Sequence, residues 1–266
     1  MDSREQKDFF AANGYLTIPH LLSNGELDKS RSEIRRLHGC AADLEKTNQL
    51  AGSDFQLEPY AHDQPSSGQP ILRKIENTRR HSDWFRDIAV HPTLMCIVQH
   101  LLGEDLMLFR STLMLKPALH GSAHALHQDS AYWPMDPPTL LTTSIAIDDT
   151  TAANGCIKAI PGSHQWPLQE WGHIAQAQGT PLTQSKEIYP SIQIDVPLTA
   201  GSAVLFHSKL VHGSGANQTE RSRHTALYAY FSPSVRYMPG PDAPRSRSFP
   251  VVAGLNGAAE HTLIAG

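Results

Sequence analysis

Three residues that could share one metal ion set the starting point. His127 and Asp129 stand two apart in Ala125-Leu-His-Gln-Asp-Ser130, and a distant His closes a second apolar run, Phe206-His-Ser-Lys-Leu-Val-His-Gly-Ser-Gly215. On an extended strand, residues two apart project from the same face, so this imidazole and carboxylate can approach one ion. An imidazole from another strand would complete a two-His, one-carboxylate face with three adjacent octahedral positions open, the arrangement that suits non-heme Fe(II). His-x-Asp alone is weak evidence, because the chain holds 15 histidines. His212 is the preferred third ligand, since Gly-Ser-Gly follows it and Arg223 lies eleven residues further on. His207 is its rival, five residues earlier and expected near the opposite end of its strand or on the next turn. Arg223 reads either as an exposed cation at a strand edge, like Arg221, or as a guanidinium inside a barrel that pairs bidentately with a carboxylate.

The elements that must position these residues change character along the chain. Helical spacing is expected over Arg4–Ala12 and Gly25–Leu37, the latter with Leu27, Ile34 and Leu37 on one face, and residues 14–19 read as a short strand between them. From Cys40 to Pro70 the composition of Asp, Gln, Ser, Gly and Pro predicts a long loop. His91-Pro92 opens a helix that Gly103 stops. Beyond Gly103 come β-rich runs at 106–115, 123–128, 140–148, 156–160, 192–198, 202–206 and 223–232. About seven or eight short strands with turn residues between them, and no helix interleaved strand by strand, predict an all-β sandwich or barrel, with a jelly roll the natural candidate. The stretch from Gln165 to Pro190 is polar and is expected to be an insertion near the barrel mouth. One domain is expected over 1–266: a helical portion to about 103, a core over about 104–235 and a C-terminal extension over 236–266.

Composition narrows the function classes. Net charge is −4 with scattered Lys and Arg, which argues against nucleic acid as a partner. Cys40, Cys96 and Cys156 are odd in number, far apart and in no Cys-x-x-Cys pair, so neither a disulfide framework nor a thiolate zinc site is expected. The charged start MDSREQKDFF has no apolar signal region, and no apolar run approaches the ~20 residues of a membrane span. A soluble, cytoplasmic protein with a small-molecule substrate and no membrane partner is expected. Asn217-Gln-Thr219 matches a glycosylation acceptor but is discounted without a secretory signal.

Several separate motifs then occur in one order: Leu72-Arg-Lys-Ile-Glu76, Met114-Leu-Lys-Pro117, His127-Gln-Asp with Tyr132-Trp-Pro134, Asn154-Gly-Cys-Ile157 with Ile160-Pro-Gly-Ser-His164, and Gly201 through Arg223. Together they resemble the phytanoyl-CoA dioxygenase family over most of the chain. The resemblance implies a mainly β, double-stranded β-helix fold (jelly-roll, cupin-like) with flanking N-terminal helices, and it implies Fe(II), 2-oxoglutarate and O2. It implies that His127, Asp129 and His212 are the iron ligands and that Arg223 pairs with the C5 carboxylate of the cosubstrate. Lys74, Gln128, Ser214 and Thr112 match positions that help to hold the same molecule, while Ile145 departs from the Trp of some members.

Tyr132 and Trp133 read as core aromatics or as walls of a substrate pocket. His164, in a turn-forming run, is expected to be structural. The implied reaction hydroxylates an unactivated C–H bond of a small metabolite or natural-product intermediate, releasing succinate and CO2. An acyl-CoA 2-hydroxylase is the alternative, as are desaturation, ring closure or epimerisation at the same iron. From other classes, a non-catalytic jelly-roll binding protein is countered by the intact triad. A zinc hydrolase is countered by the lack of HExxH, a nucleophile elbow or a P-loop.

Overall fold

In the computed structural model, which describes residues 2–59, 70–169 and 192–265, the N-terminal helices begin where the sequence offers caps. Asp2 and Glu5 form a capping box at α1 (Ser3–Asn13), and Ser23 and Glu26 form another at α2 (Asn24–Lys46). Between them β1 (Tyr15–Ile18) pairs antiparallel with β10 (Ala203–His207). Helix α2 runs past Leu37, where a loop was expected to start at Cys40. Ala41 and Leu44 prolong its apolar stripe onto the core, and Gly39 faces open space. A glycine in an exposed helical position is less favourable than alanine by only about 1 kcal/mol, which that burial outweighs. The expected loop also holds a strand, β2 (Phe55–Leu57), paired with β3 (Leu72–Glu76). Residues 60–69 of that loop, and 170–190 of the expected insertion, lie outside the described residues.

Three further helices, α3 (Thr78–His81), α4 (Asp83–Ile88) and α5 (Pro92–Leu102), lead into the long strand β4 (Leu106–Lys116). The strands that follow are β5 (His124–His127), β6 (Met135–Asp136), β7 (Leu141–Ala146), β8 (Ile157–Ala159), β9 (Ile194–Val196), β11 (His212–Ser214), β12 (Arg223–Phe231), β13 (Arg236–Tyr237), β14 (Ser246–Ala253) and β15 (Glu260–Ile264). The large sheet has the order β1-β10-β7-β12-β4-β14-β15, with β3 and β2 branching from β4. A smaller sheet is ordered β5-β11-β8-β9. Every pairing given is antiparallel, and the fold is the mainly β jelly roll that the resemblance implies. The large sheet draws strands from before Gly103 and after Val235, so helical portion, core and C-terminal stretch are woven together.

The centre of the large sheet is buried on both faces, which explains why β7 has six consecutive buried residues. One face packs against the helices: Ile75, Leu113, Ile145, Leu205 and Tyr228 join Leu27, Ile34, Leu37, Phe85 and Leu94. Two tyrosine hydroxyls cross this interface, Tyr228 Oη donating to Phe85 O and Tyr230 Oη to Ala89 O, both at 2.8 Å. The other face, read off alternate residues, looks across a cavity to the smaller sheet. Asn217 is buried and donates to the carbonyls of Lys116, Pro117 and Arg221, so it is no glycosylation site.

Candidate metal centre

Strands β5 and β11 pair so that His127 and His212 stand directly opposite each other, with ring centroids 4.4 Å apart. Gly213 allows this close pairing, because a Cβ there would come within 2.7 Å of His124 O. Strand β5 ends at His127. Gln128 is still extended (φ −111°, ψ 122°), which turns Asp129 to the same side, and Asp129 opens a short 3-10 turn instead of continuing the expected strand. The Asp129 Oδ1 atom lies 3.5 Å from His127 Nε2 and 3.9 Å from His212 Nε2. One ligand atom from each of the three lies within 4.8 Å of the others, the one such cluster among the described residues.

Neighbouring groups aim these ligands. His127 Nδ1 donates to Ala125 O and His212 Nδ1 to Leu210 O, each at 2.9 Å, which leaves both Nε2 lone pairs pointing inward. Thr142 Oγ1 donates to Asp129 Oδ2 at 3.0 Å. Burial, then the neighbouring His127, holds His212 down to about 4, so it is neutral near pH 7. Burial alone would raise the Asp129 carboxyl, but His212 and His127 bring it down to about 2. Two imidazoles that turn Nε2 inward and one ionised carboxylate on one face fit a divalent iron with open positions. His207 is not brought here. Its Nδ1 accepts from Lys209 N at 3.0 Å, and its ring packs against His164, which bonds Ala11 O.

Beside the triad lies a cavity of about 200 Å³. Tyr132, Trp133, Lys74, Ser214 and Arg223 line it, so five of the seven expected cosubstrate and substrate residues converge. Trp133 is backed by Phe109 at 4.8 Å. Arg223 is 4% exposed and donates to Thr225 Oγ1 at 3.2 Å and to Gly155 O, while its Nε has no partner. Gly155, at φ 81°, sits against Gly215, and a Cβ there would fall 2.3 Å from Gly215 O. Burial lowers the Arg223 guanidinium to about 10, so it stays charged.

The other two are placed elsewhere. The Gln128 amide donates to Lys209 O at 2.9 Å and accepts from Gln169 N at 2.9 Å, bracing the backbone around Asp129. Thr112 Oγ1 donates to Glu76 Oε2 at 2.7 Å. Ile145 belongs to the helix-covered core, because parity sends its neighbour Ser144 to the cavity instead.

Several cavity residues are given no site role by the sequence, although Arg73 and Lys116 stand inside motifs quoted for the resemblance. Arg110 and Lys116 come from β4, Thr142 from β7, and Arg73 donates to His124 Nε2 at 2.7 Å. Glu76 holds both Lys74 (2.7 Å) and Arg110 (2.6 Å). The available signal is Arg110, Thr112 and Lys116, which share one face of a mostly apolar strand with Met114 and so need something polar to look at.

The phytanoyl-CoA dioxygenase (PhyH) family matches residues 10–225, most of the chain. The chain belongs to the phytanoyl-CoA dioxygenase family. Membership, with the triad as the metal-binding face, makes it an Fe(II)- and 2-oxoglutarate-dependent oxygenase that uses O2. Similar proteins include the peroxisomal phytanoyl-CoA dioxygenase of Rattus norvegicus, 26% identical over 89% of this chain and 70% of that protein. The ectoine dioxygenase of Stutzerimonas stutzeri is 28% identical over 83% and 74%. Among solved structures, the non-heme alpha-ketoglutarate-dependent epimerase SnoN from nogalamycin biosynthesis is 25% identical, with a TM-score of 0.66 over 91% of this chain and 87% of its own. The non-heme monooxygenase ThoJ, 23% identical, shares the fold with a TM-score of 0.73 over 96% and 85%. No described helix is long and apolar enough to cross a membrane.

Proposed function

We propose that the chain is a single-domain hydroxylase that oxidises an unactivated C–H bond of a small metabolite or natural-product intermediate, with release of succinate and CO2. The observation that carries this reading is the convergence of His127, Asp129 and His212 beside a cavity that has aromatic walls and a buried arginine. Iron and 2-oxoglutarate, when bound with O2, supply the oxidising power, and the protein supplies position and surroundings. The triad holds the ion, and Arg223 with Ser214 and Lys74 holds the cosubstrate. Thr112 acts through Glu76, and Gln128 through the backbone it braces. Tyr132 and Trp133 orient the substrate and exclude water. A carboxylate at 129 fills the ligand position that a halide would need, which favours hydroxylation over halogenation.

Size and charge favour a small substrate over a CoA ester. The cavity of about 200 Å³ is smaller than the ~300–1,000 Å³ of sites for drug-sized ligands. Three of its cations already have partners, Lys74 and Arg110 on Glu76 and Arg73 on His124, which leaves the buried Lys116 and Arg223, enough for one carboxylate and not for the several phosphates of a CoA ester. The basic pair Arg79-Arg80, which the sequence also offers for the phosphates of a CoA ester, lies on α3, outside the residues that line the cavity. Three free cysteines fit the reducing cytoplasm.

A second reading, epimerisation, is favoured by Tyr132, whose ring is 6.2 Å from that of His127: its phenol would return a hydrogen atom to a substrate radical, and a soluble reductant would supply the two electrons and the protons that restore the phenol and the iron. Iron-loaded protein incubated with 2-oxoglutarate and a metabolite panel, acyl-CoA esters included, tests these readings. Substrate-dependent succinate and a product heavier by one oxygen atom are expected. A product of unchanged mass would favour epimerisation, turnover of a CoA ester alone would overturn the small-metabolite reading, and the absence of decarboxylation with every compound would overturn the hydroxylase reading.

A further inference from the structure

In the wall of the cavity, Arg223 does not stand alone. Lys116 on β4 is paired directly with it across the ladder, so the two side chains leave the sheet on the same face. Both line the cavity, and they are 3% and 4% exposed. Lys116 Nζ donates to Ser122 O at 2.7 Å and to Gly215 O, the residue after Ser214. An ammonium has three donors, so one remains.

Two buried cations side by side repel, and each has lost its hydration. Burial, and after it the charge of Arg223, push the Lys116 amine well below its ordinary range. Among the described residues no carboxylate is bonded to either. The acid that attracts Lys116 is Glu58, itself fully buried, but neither of its oxygens has a hydrogen-bond partner. Arg223 Nε is likewise buried without one. Lys74 differs in having a carboxylate partner, Glu76 at 2.7 Å, while its remaining donors stay available to the cosubstrate. This part of the wall therefore presents two buried cations and unfilled donors where an anion would relieve both.

We propose that Lys116 is a second anchor for the far carboxylate of the 2-oxo acid cosubstrate, which it shares with Arg223. The proposal rests on the 2-oxoglutarate reading of this cavity. The carboxylate accepts from the guanidinium on one side and from the free ammonium proton on the other. One anion then screens the repulsion between the two cations and satisfies donors on each. Such sharing makes the site selective for 2-oxo acids that carry a distal negative charge, because an apolar tail would leave both cations buried and unpaired.

Anaerobic calorimetric titration of the iron-loaded protein with two probes tests this. The probes are 2-oxoglutarate and 2-oxopentanoate, which keeps the chelating 2-oxo acid group but ends in a methyl. Lys116→Met should weaken 2-oxoglutarate by about 10- to 100-fold, the worth of a hydrogen bond to a charged group, and leave 2-oxopentanoate within about threefold. Lys116→Gln keeps a donor for the Ser122 and Gly215 carbonyls and should show the same loss of selectivity in a fold that melts closer to wild type. Equal weakening of both probes would assign Lys116 to loop stapling alone and overturn the proposal. So would unchanged selectivity in the Gln variant. If the wild type fails to prefer 2-oxoglutarate over 2-oxopentanoate, the cosubstrate reading itself falls. Loss of selectivity in Arg223→Leu but not in the Lys116 variants would leave that reading standing and remove Lys116 from it.

Discussion

Replacing Glu76 with Gln should destabilise the protein by about 2–3 kcal/mol at pH 7, because one carboxylate neutralises two cations in the cavity wall. Glu76 accepts from Lys74 at 2.7 Å, from Arg110 Nη2 at 2.6 Å and from Thr112 Oγ1 at 2.7 Å. Burial on its own would raise its carboxyl, but Arg110 and Lys74 outweigh burial and bring it from 4.5 to about 2. A displacement of that size corresponds to about 3 kcal/mol of preference for the ionised form in the folded state. The side chains of Lys74, Glu76 and Arg110 are 18%, 19% and 31% exposed, so solvent screens the pair only in part. In a protein of this size, 2–3 kcal/mol lowers Tm by about 4–10 °C.

The sign with pH follows from a depressed carboxylate. Its contribution is fully present above the unfolded value near 4.5 and is lost as pH falls through about 2. Melting curves of wild type and Glu76→Gln should therefore be separated by a constant amount between pH 7 and about pH 5, and should converge in more acid buffer. A variant within about 0.5 kcal/mol of wild type at pH 7, the range of an unremarkable surface change, would refute this electrostatic account of the network.

Other changes probe the centre directly. His212→Ala should abolish stoichiometric iron binding while circular dichroism reports an intact β framework; iron retained at full occupancy would transfer the ligand role to His207. Arg223→Leu should raise the 2-oxoglutarate concentration needed for half-maximal succinate formation by about 10- to 100-fold while iron still binds, and an unchanged requirement would remove Arg223 from the site. Thr142→Val deletes the hydroxyl that orients Asp129 and should weaken iron about 10-fold in a metal-competition assay; equal affinity would mean that the carboxylate needs no such support.

The two-residue ligand motif and the class of the fold are legible in the sequence. His127 and Asp129 are close in the chain, so a period of two and one extended residue between them suffice to put both on one side. The short β runs, the capping boxes and the Pro92 to Gly103 helix are likewise local signals, each legible within a few residues. Their limits are also local: α2 outran its expected end because Ala41 and Leu44 meet a core that the helix alone does not reveal. The resemblance implies the distant residues His212, Arg223, Lys74 and Ser214, and the tertiary structure supplies the register that brings them together. His212 faces His127 through the β5–β11 register, and His207 is turned away on β10, although the two histidines lie five apart in one segment. Register also sorted the neighbours, sending Ser144 to the cavity and Ile145 to the helices. It brought Arg110, which carries no motif, beside Glu76, and Lys116, whose motif implies no site role, beside Arg223. Pairing between strands is set by burial of whole faces and by the turns that join them. A one-residue slip would exchange cavity and core on every strand, so these assignments are a property of the assembled sheets and not of any segment read alone.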